Sequence, residues 1–221
     1  MTSPPTAYWP SLETLAPRVA TPDGYTFRPL AREELPTIIE RLRAWYPDVV
    51  VGAESCHLDE TFWLEQVVFQ GEEATGKAIY GFGFWYGPEY AGFITFELNP
   101  RSRVIHGRLG VVSPLHRHAH LMYAAIQLAE HIGRAAGAEL IMNYATLQHS
   151  YSQAVLEKCG FKLVGITPAH DRDMVRPGTV ERVFEALYVK VLVPPEEIRE
   201  PPPEALLPAT RRLYDHLFKK E

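Results

Sequence analysis

Residues Leu109 to Gly165 read LGVVSPLHRHAHLMYAAIQLAEHIGRAAGAELIMNYATLQHSYSQAVLEKCGFKLVG. A β-rich run, Val104 to Val112, stops at Ser113-Pro114, and a basic turn follows at His116, Arg117 and His118. Leu121, Ala125, Leu128, Ala129 and Ile132 then recur at helical spacing and give one apolar face. Gly133 and Gly137 mark the end of that helix. Leu140 to Ala145 is a short apolar strand. Ser150 or Ser152 can start a second helix, closed by Cys159-Gly160-Phe161.

Upstream, Tyr25 to Leu30 alternates as a short strand. Leu35, Ile38, Ile39, Leu42 and Trp45 carry a helix that Pro47-Asp48 ends. Asp59 or Thr61 can cap a second helix running through Phe62, Leu64, Val67 and Val68. Gly71 to Gly76 is a polar loop. Lys77 to Tyr86 and Tyr90 to Leu98 are rich in aromatic and β-branched residues, and Gly87-Pro88-Glu89 between them reads as a hairpin. Downstream, Phe161 to Ile166 and Val183 to Val193 are predicted strands, joined by a polar loop from Pro168 to Gly178. Residues 1–24 form an arm with five prolines. Residues 194–221 are a second proline-rich extension, with a short helix predicted over Thr210 to Lys219.

The order is β, α, α, β, β, β, α, β, α, β, β. Over residues 25–193 it resembles the GNAT N-acetyltransferases, the acyl-CoA-dependent N-acyltransferase superfamily. The resemblance implies an α/β (α+β) domain, with a mixed central sheet of about seven strands flanked by about four helices. It also implies that the turn before the first quoted helix holds the pyrophosphate of acetyl-CoA. The family writes Arg/Gln-x-x-Gly-x-Gly/Ala there. This chain writes Arg117-His118-Ala119-His120-Leu121-Met122, so His120 and Met122 stand where glycines are usual.

A phosphate needs backbone N–H groups, a helix N-terminus and a nearby cation, and this segment can supply all three. By resemblance, Leu109, Val111 and Val112 form the strand edge that pairs with the pantetheine amides. Glycine at the two altered positions would allow close approach and positive φ. Histidine can also adopt unusual backbone angles and can donate to phosphate. His116, His118 and His120 alternate, but they span a turn and have no carboxylate or cysteine ligand close in sequence, so no metal is expected. His116 and His118 read as phosphate contacts or surface residues.

Acetyl transfer to an amine needs a base for the amine, a polarised carbonyl and an acid for the leaving thiolate. The family often sets its base on the strand before the pyrophosphate turn, and six residues before Val112 stands His106. Alternation puts His106 and Arg108 on one face. Glu97 on the preceding strand is the second candidate. The family's acid is a tyrosine in the second helix, where alignment on Gly160-Phe161 gives Leu156, with His149 at the position of the usual asparagine. Ser152, Tyr151 or a water can take the acid's place, and Tyr144 at the end of the neighbouring strand is another candidate. Cys159 reads as a core residue.

The implied activity is transfer of acetyl from acetyl-CoA to a small-molecule amine. The alternative is a catalytically degenerate GNAT-fold protein that binds a ligand or serves in assembly, which the missing glycines and tyrosine favour. Hydrophobic residues at 46% and charged residues at 22% are ordinary for a globular chain, and a net charge of -5 argues against nucleic acid as partner. Two cysteines make no disulfide framework. No signal peptide or apolar run of roughly 20 residues is present, so a soluble cytoplasmic protein with no membrane partner is expected. Tyr8, Trp9, Leu12 and Leu15 in the first arm, and Leu206, Leu207, Leu213, Tyr214, Leu217 and Phe218 in the second, are too apolar to stay in water. Both arms should pack down, on their own domain or across a homodimer.

Overall fold

A computed structural model describes residues 7–10, 20–74 and 76–219. Eight strands form one sheet among these residues: β1 (Tyr25–Pro29), β2 (Val67–Val68), β3 (Ile79–Tyr86), β4 (Glu89–Asn99), β5 (Val104–Val112), β6 (Leu140–Thr146), β7 (Lys162–Arg176) and β8 (Thr179–Val191). The order across the sheet is β1-β3-β4-β5-β6-β8-β7, and β2 pairs parallel with the start of β3. Helices α1 (Leu35–Trp45), α2 (Glu60–Gln66), α3 (Leu121–Ala136) and α4 (Tyr151–Lys158) flank it, and α5 (Pro208–Phe218) lies in the tail.

The helices divide between two faces, each with its own core. Leu121, Ala125, Leu128, Ala129 and Ile132 of α3 pack on Phe84, Ile94, Phe96 and Ile105. Leu35, Ile38 and Leu42 of α1 and Trp63 of α2 pack on Trp85, Phe93 and Val111. Neighbouring strand residues thus enter different cores, because a strand alternates its side chains. Tyr80, Phe82, Phe84 and Trp85 are buried, while Tyr86 is half-exposed.

Three expectations need correction. The second helix ends at Gln66, and Val67–Val68 leave it to pair with β3, as two β-branched residues favour. Gly133 lies inside α3, packed close to Leu192 and Ile105, and the left-handed Gly137 is the cap. The segment Pro168 to Gly178 is no loop, since β7 runs through it to Arg176 and turns at Gly178 into β8.

Residues 7–10 of the first arm pack on the α3 face. Trp9 stacks on Tyr80 with centroids 4.3 Å apart and donates through Nε1 to Ala78 O at 3.0 Å. Leu12 and Leu15 lie outside the described residues. In the tail, Lys162 of β7 donates to Leu217 O at 3.3 Å, yet Leu207, Leu213 and Phe218 are 74%, 53% and 48% exposed.

Candidate active site

Strands β5 and β6 pair only at Val104–Leu140, Ile105–Ile141 and His106–Met142, then part. From Gly107 onward β5 has its β6-facing edge open, so the two strands make a fork. The carboxamide of Asn143 sits against Gly107 at its root, where any Cβ on residue 107 would overlap it. Leu109 is half-buried along the open stretch, and Val111 and Val112 are buried.

Beyond the fork, Pro114–Ala119 forms a 3-10 turn and His120 takes φ 58°, ψ 25° before α3 begins. That left-handed angle is the one glycine adopts most freely, so His120 meets the conformational demand of the glycine position. The first N–H groups of a helix lack intrahelical partners, and α3 aims its own at this turn. Arg117 is exposed, with its guanidinium 5.6 Å from the ring centre of Tyr46 at the end of α1. His118 and His120 are exposed, Ala119 is half-buried and Leu121 is in the core. Met122 lays its sulfur over Gly110, so this side chain narrows the fork's approach. His116 departs from the surface or phosphate role expected of it. It is 9% exposed, shares a hydrogen bond of 2.8 Å with the Tyr25 hydroxyl through Nδ1 and lies 3.2 Å from Glu89 Oε1 through Nε2.

A polar network connects the fork to the α1 face. Thr95 of β4 stands opposite both Arg108 and Leu109, a β-bulge in β5. Leu109 N–H donates to the buried Thr95 Oγ1 at 3.2 Å, and His57 Nε2 lies 3.0 Å from the same oxygen. The His57 Nδ1 atom is 3.2 Å from Glu54 Oε2. With the ring hydrogen on Nδ1, Nε2 accepts the Thr95 hydroxyl. Arg108 then joins two carboxylates, reaching Glu54 Oε1 at 3.0 Å through Nε and Glu97 Oε2 at 2.5 Å through Nη1. Burial works to raise the Glu54 carboxyl, but His57 and Arg108 outweigh it and hold it below the usual carboxylate range. Glu54, Cys56 and His57 bring donor atoms within 4.8 Å of one another. The guanidinium beside Glu54 and the two engaged nitrogens of His57 make this group a network of ion pairs and hydrogen bonds.

A cleft of about 180 Å³ opens beside this network. Tyr46, Val49 and Glu54 line it from one side, and Thr146, Asp171, Asp173, Val183 and Glu185 from the other. Burial, and after it the charges of Asp171, Glu54 and Asp173, push the Glu185 carboxyl up to about 7. Tyr144 is 40% exposed and stacks on His170 at 3.9 Å, and His170 Nε2 is 3.6 Å from Glu185.

The structure therefore brings several of the sequence-predicted residues to one face. His106 and Glu97 are cross-strand partners, and Arg108 bonds Glu97. Ser152 and His149 are exposed at the start of α4, and Leu156 is buried at the tyrosine position. Cys159 is buried, its thiol pushed up to about 11 by burial. Sequence reasoning missed Glu54, His57, Thr95 and Glu185. They come from three separate segments, and only Glu54 and His57, three residues apart, are joined by local spacing.

Residues 35–161 match the model of the acetyltransferase (GNAT) family. A search of curated protein sequences finds no match. Among solved structures, the chain is similar to an acetyltransferase from Salmonella typhimurium that modifies the N-terminal serine of ribosomal protein L7/L12. Identity there is 12%, covering 79% of this chain and 99% of that one, with a TM-score of 0.57. Spermidine N-acetyltransferase from Vibrio cholerae, in complex with CoA and spermine, is 14% identical, covering 76% and 95%, with a TM-score of 0.59. A GNAT-family acetyltransferase from Streptococcus pneumoniae is 12% identical, covering 76% and 99%, with a TM-score of 0.57. These likenesses concern the fold, while the family match spans more than half of the 221 residues: the chain belongs to the GNAT acetyltransferase family.

Proposed function

We propose that this protein transfers acetyl from acetyl-CoA directly to an amine on a small molecule, in the cytoplasm. The observation that carries this reading is the fork between β5 and β6, which opens onto the turn before α3. The pantetheine arm would lie along Leu109, Val111 and Val112. The pyrophosphate would lie at the N-terminus of α3, near Arg117, His118, Ala119, His120, Leu121 and Met122. His149, at the start of α4, is a further contact candidate on that side. Bound there, acetyl-CoA supplies an activated acyl carbon.

The acceptor would enter by the cleft. Asp48, Glu54, Asp171, Asp173 and Glu185 give it a negative lining that draws in an ammonium, with Arg172 the single cation among its lining residues. Its volume suits a slender amine. Of the two bases expected from the sequence, Glu97 is engaged by Arg108, and His106 stands on the same face. Tyr144 and Ser152 are the candidates for protonating the thiolate.

The test is acetyl-CoA binding by calorimetry, followed by turnover with a panel of spermidine, simple alkylamines and a peptide with a free N-terminus. Arg117→Glu should weaken acetyl-CoA binding by about 1–3 kcal/mol, the scale of a lost charge-assisted hydrogen bond. Unchanged affinity in a folded variant removes Arg117 from the site. Binding without turnover on any amine would favour the second reading, a degenerate binding or assembly protein. Leu156 in place of the tyrosine is the observation behind that reading.

A homodimer belongs to the same proposal. The exposed Leu207, Leu213 and Phe218 support it, since the described residues leave them largely uncovered. Deleting residues 194–221 should convert the dimer to a monomer or an aggregating protein by light scattering. A monomer both before and after deletion would remove the dimer.

A further inference from the structure

We propose that Glu185 takes the proton from the acceptor's ammonium group, an assignment that rests on the transferase reading above. Strand alternation orients it. Ala186 enters the α3-side core, so Glu185 and Val183 point to the opposite face, where both line the cleft. Glu185 pairs across the ladder with Thr146, at the end of the strand that parts from β5. It therefore lies beside the fork and inside the acceptor's entrance. His106 sits at the still-paired root of the fork and is not among the residues lining the cleft.

A base must also be free to accept. Glu97 is held by Arg108 at 2.5 Å, and Glu54 by Arg108 and His57. Asp171 spends both oxygens on Ala53 N–H, at 3.0 and 3.1 Å. The side chain of Glu185 is 16% exposed, and the nearest basic side chain is His170, with Nε2 3.6 Å away. The groups facing it are His170, Asp171, Arg172 and Asp173 from β7, Tyr144 from β6, Glu54 from the 3-10 segment Ala53–Leu58, and Asp48 from the turn after α1. Carboxylates outnumber cations in that set, and burial adds to their effect, so a proton is held near neutral pH. A base with this affinity is ionised at working pH and still strong enough to deprotonate an ammonium.

The step balances. The ammonium gives one proton to the Glu185 carboxylate and becomes a neutral amine. Its lone pair forms the N–C bond to the thioester carbon, and the C–S bond breaks with its electron pair leaving on sulfur. The second nitrogen proton ends on that sulfur, giving the free thiol. Glu185 then releases its proton to water in the cleft.

The test compares Glu185→Gln with His106→Ala in the full chain, using acetyl-CoA and the best amine from the panel. Glu185→Gln should lower kcat about a hundredfold, leave acetyl-CoA affinity unchanged, and abolish the rise of rate with pH around neutrality. His106→Ala should keep that rise. A second readout needs no turnover. The cost of ionising Glu185 in the fold builds up between its ordinary value of 4.5 and about 7, so Glu185→Gln should raise the melting temperature at pH 8 and change it much less at pH 5. A Glu185→Gln enzyme within threefold of wild type, or loss of the pH dependence in His106→Ala alone, would overturn the assignment. So would equal melting shifts at the two pH values. Wild-type protein that binds no acetyl-CoA and acetylates no amine would overturn the transferase reading itself, and the base role with it.

Discussion

Gly92→Ala should destabilise the protein by roughly 4 kcal/mol and lower its melting temperature by about 10 °C. Two separate costs lead to this figure. Gly92 has φ +151°, which L-residues rarely adopt, and holding alanine there costs about 1–3 kcal/mol. A methyl group would also overlap the carbonyl oxygen of Val111 and stand 3.0 Å from Val112 Cα. Those are backbone atoms of the paired strand, so no rotamer change relieves the clash, and overpacking adds about 1–3 kcal/mol. The strain arises at a bulge. Phe84 pairs with Gly92 and Trp85 with Tyr90, which leaves Ala91 opposite nothing on β3. Gly92 in turn lies against Val111 and Val112, just before the turn that leads into α3. The substitution should therefore also weaken acetyl-CoA binding, because it displaces one wall of the fork. Thermal unfolding and calorimetry check both effects. A loss below 1 kcal/mol would mean that the two strands part easily at this point.

The element order was legible because the decisive segments carry strong periodicity. The apolar face of α3 is one unbroken stripe, and it forms the core as read. The left-handed position at His120 was likewise readable from the motif, since glycine is usual there. The outer half of the hairpin β7–β8 was not, although its two strands were predicted at their inner ends. His170-Asp171-Arg172-Asp173 alternates charge against charge, with no apolar face to reveal a strand. Its residues border the acidic cleft, so none of them needs to be hydrophobic. Val67–Val68 was hidden for another reason, as a two-residue strand has no period. The acceptor side was the least legible. Thr95, His57 and Glu54 meet Arg108 only because a bulge turns Arg108 and Leu109 against a single residue of β4. Nothing in local spacing records a bulge. Glu185 was similarly concealed, since an acidic residue in an alternating strand reads as a solvated position until the partner strands are known.

Trp9→Ala should cost about 3–5 kcal/mol, the range for removing a buried aromatic side chain. Trp9 lies well before residue 35, where the family match begins, yet it is 7% exposed. Its ring stacks on Tyr80 at an interplanar angle of 11°, and its Nε1 satisfies the Ala78 carbonyl. Tyr80 returns a hydrogen bond to Pro10 O, and the backbone of Ala7 and Tyr8 donates to Pro100 and Ala136 at 3.3 and 3.2 Å. Residues 7–10 thus close over the ends of β3 and α3 and cover apolar surface that the sheet would otherwise expose. Trp9→Phe should separate the two contributions. It keeps most of the ring contact and loses the hydrogen bond, so its cost should be near 1 kcal/mol, with the Ala78 carbonyl left to find water. A fragment beginning at residue 25 should be at least as unstable as Trp9→Ala, since it lacks the backbone bonds as well. Urea unfolding of the three variants tests the order. If the fragment is as stable as the full chain, the arm lies on the domain without supporting it. If the predicted order holds, residues before the first strand are part of the folding unit.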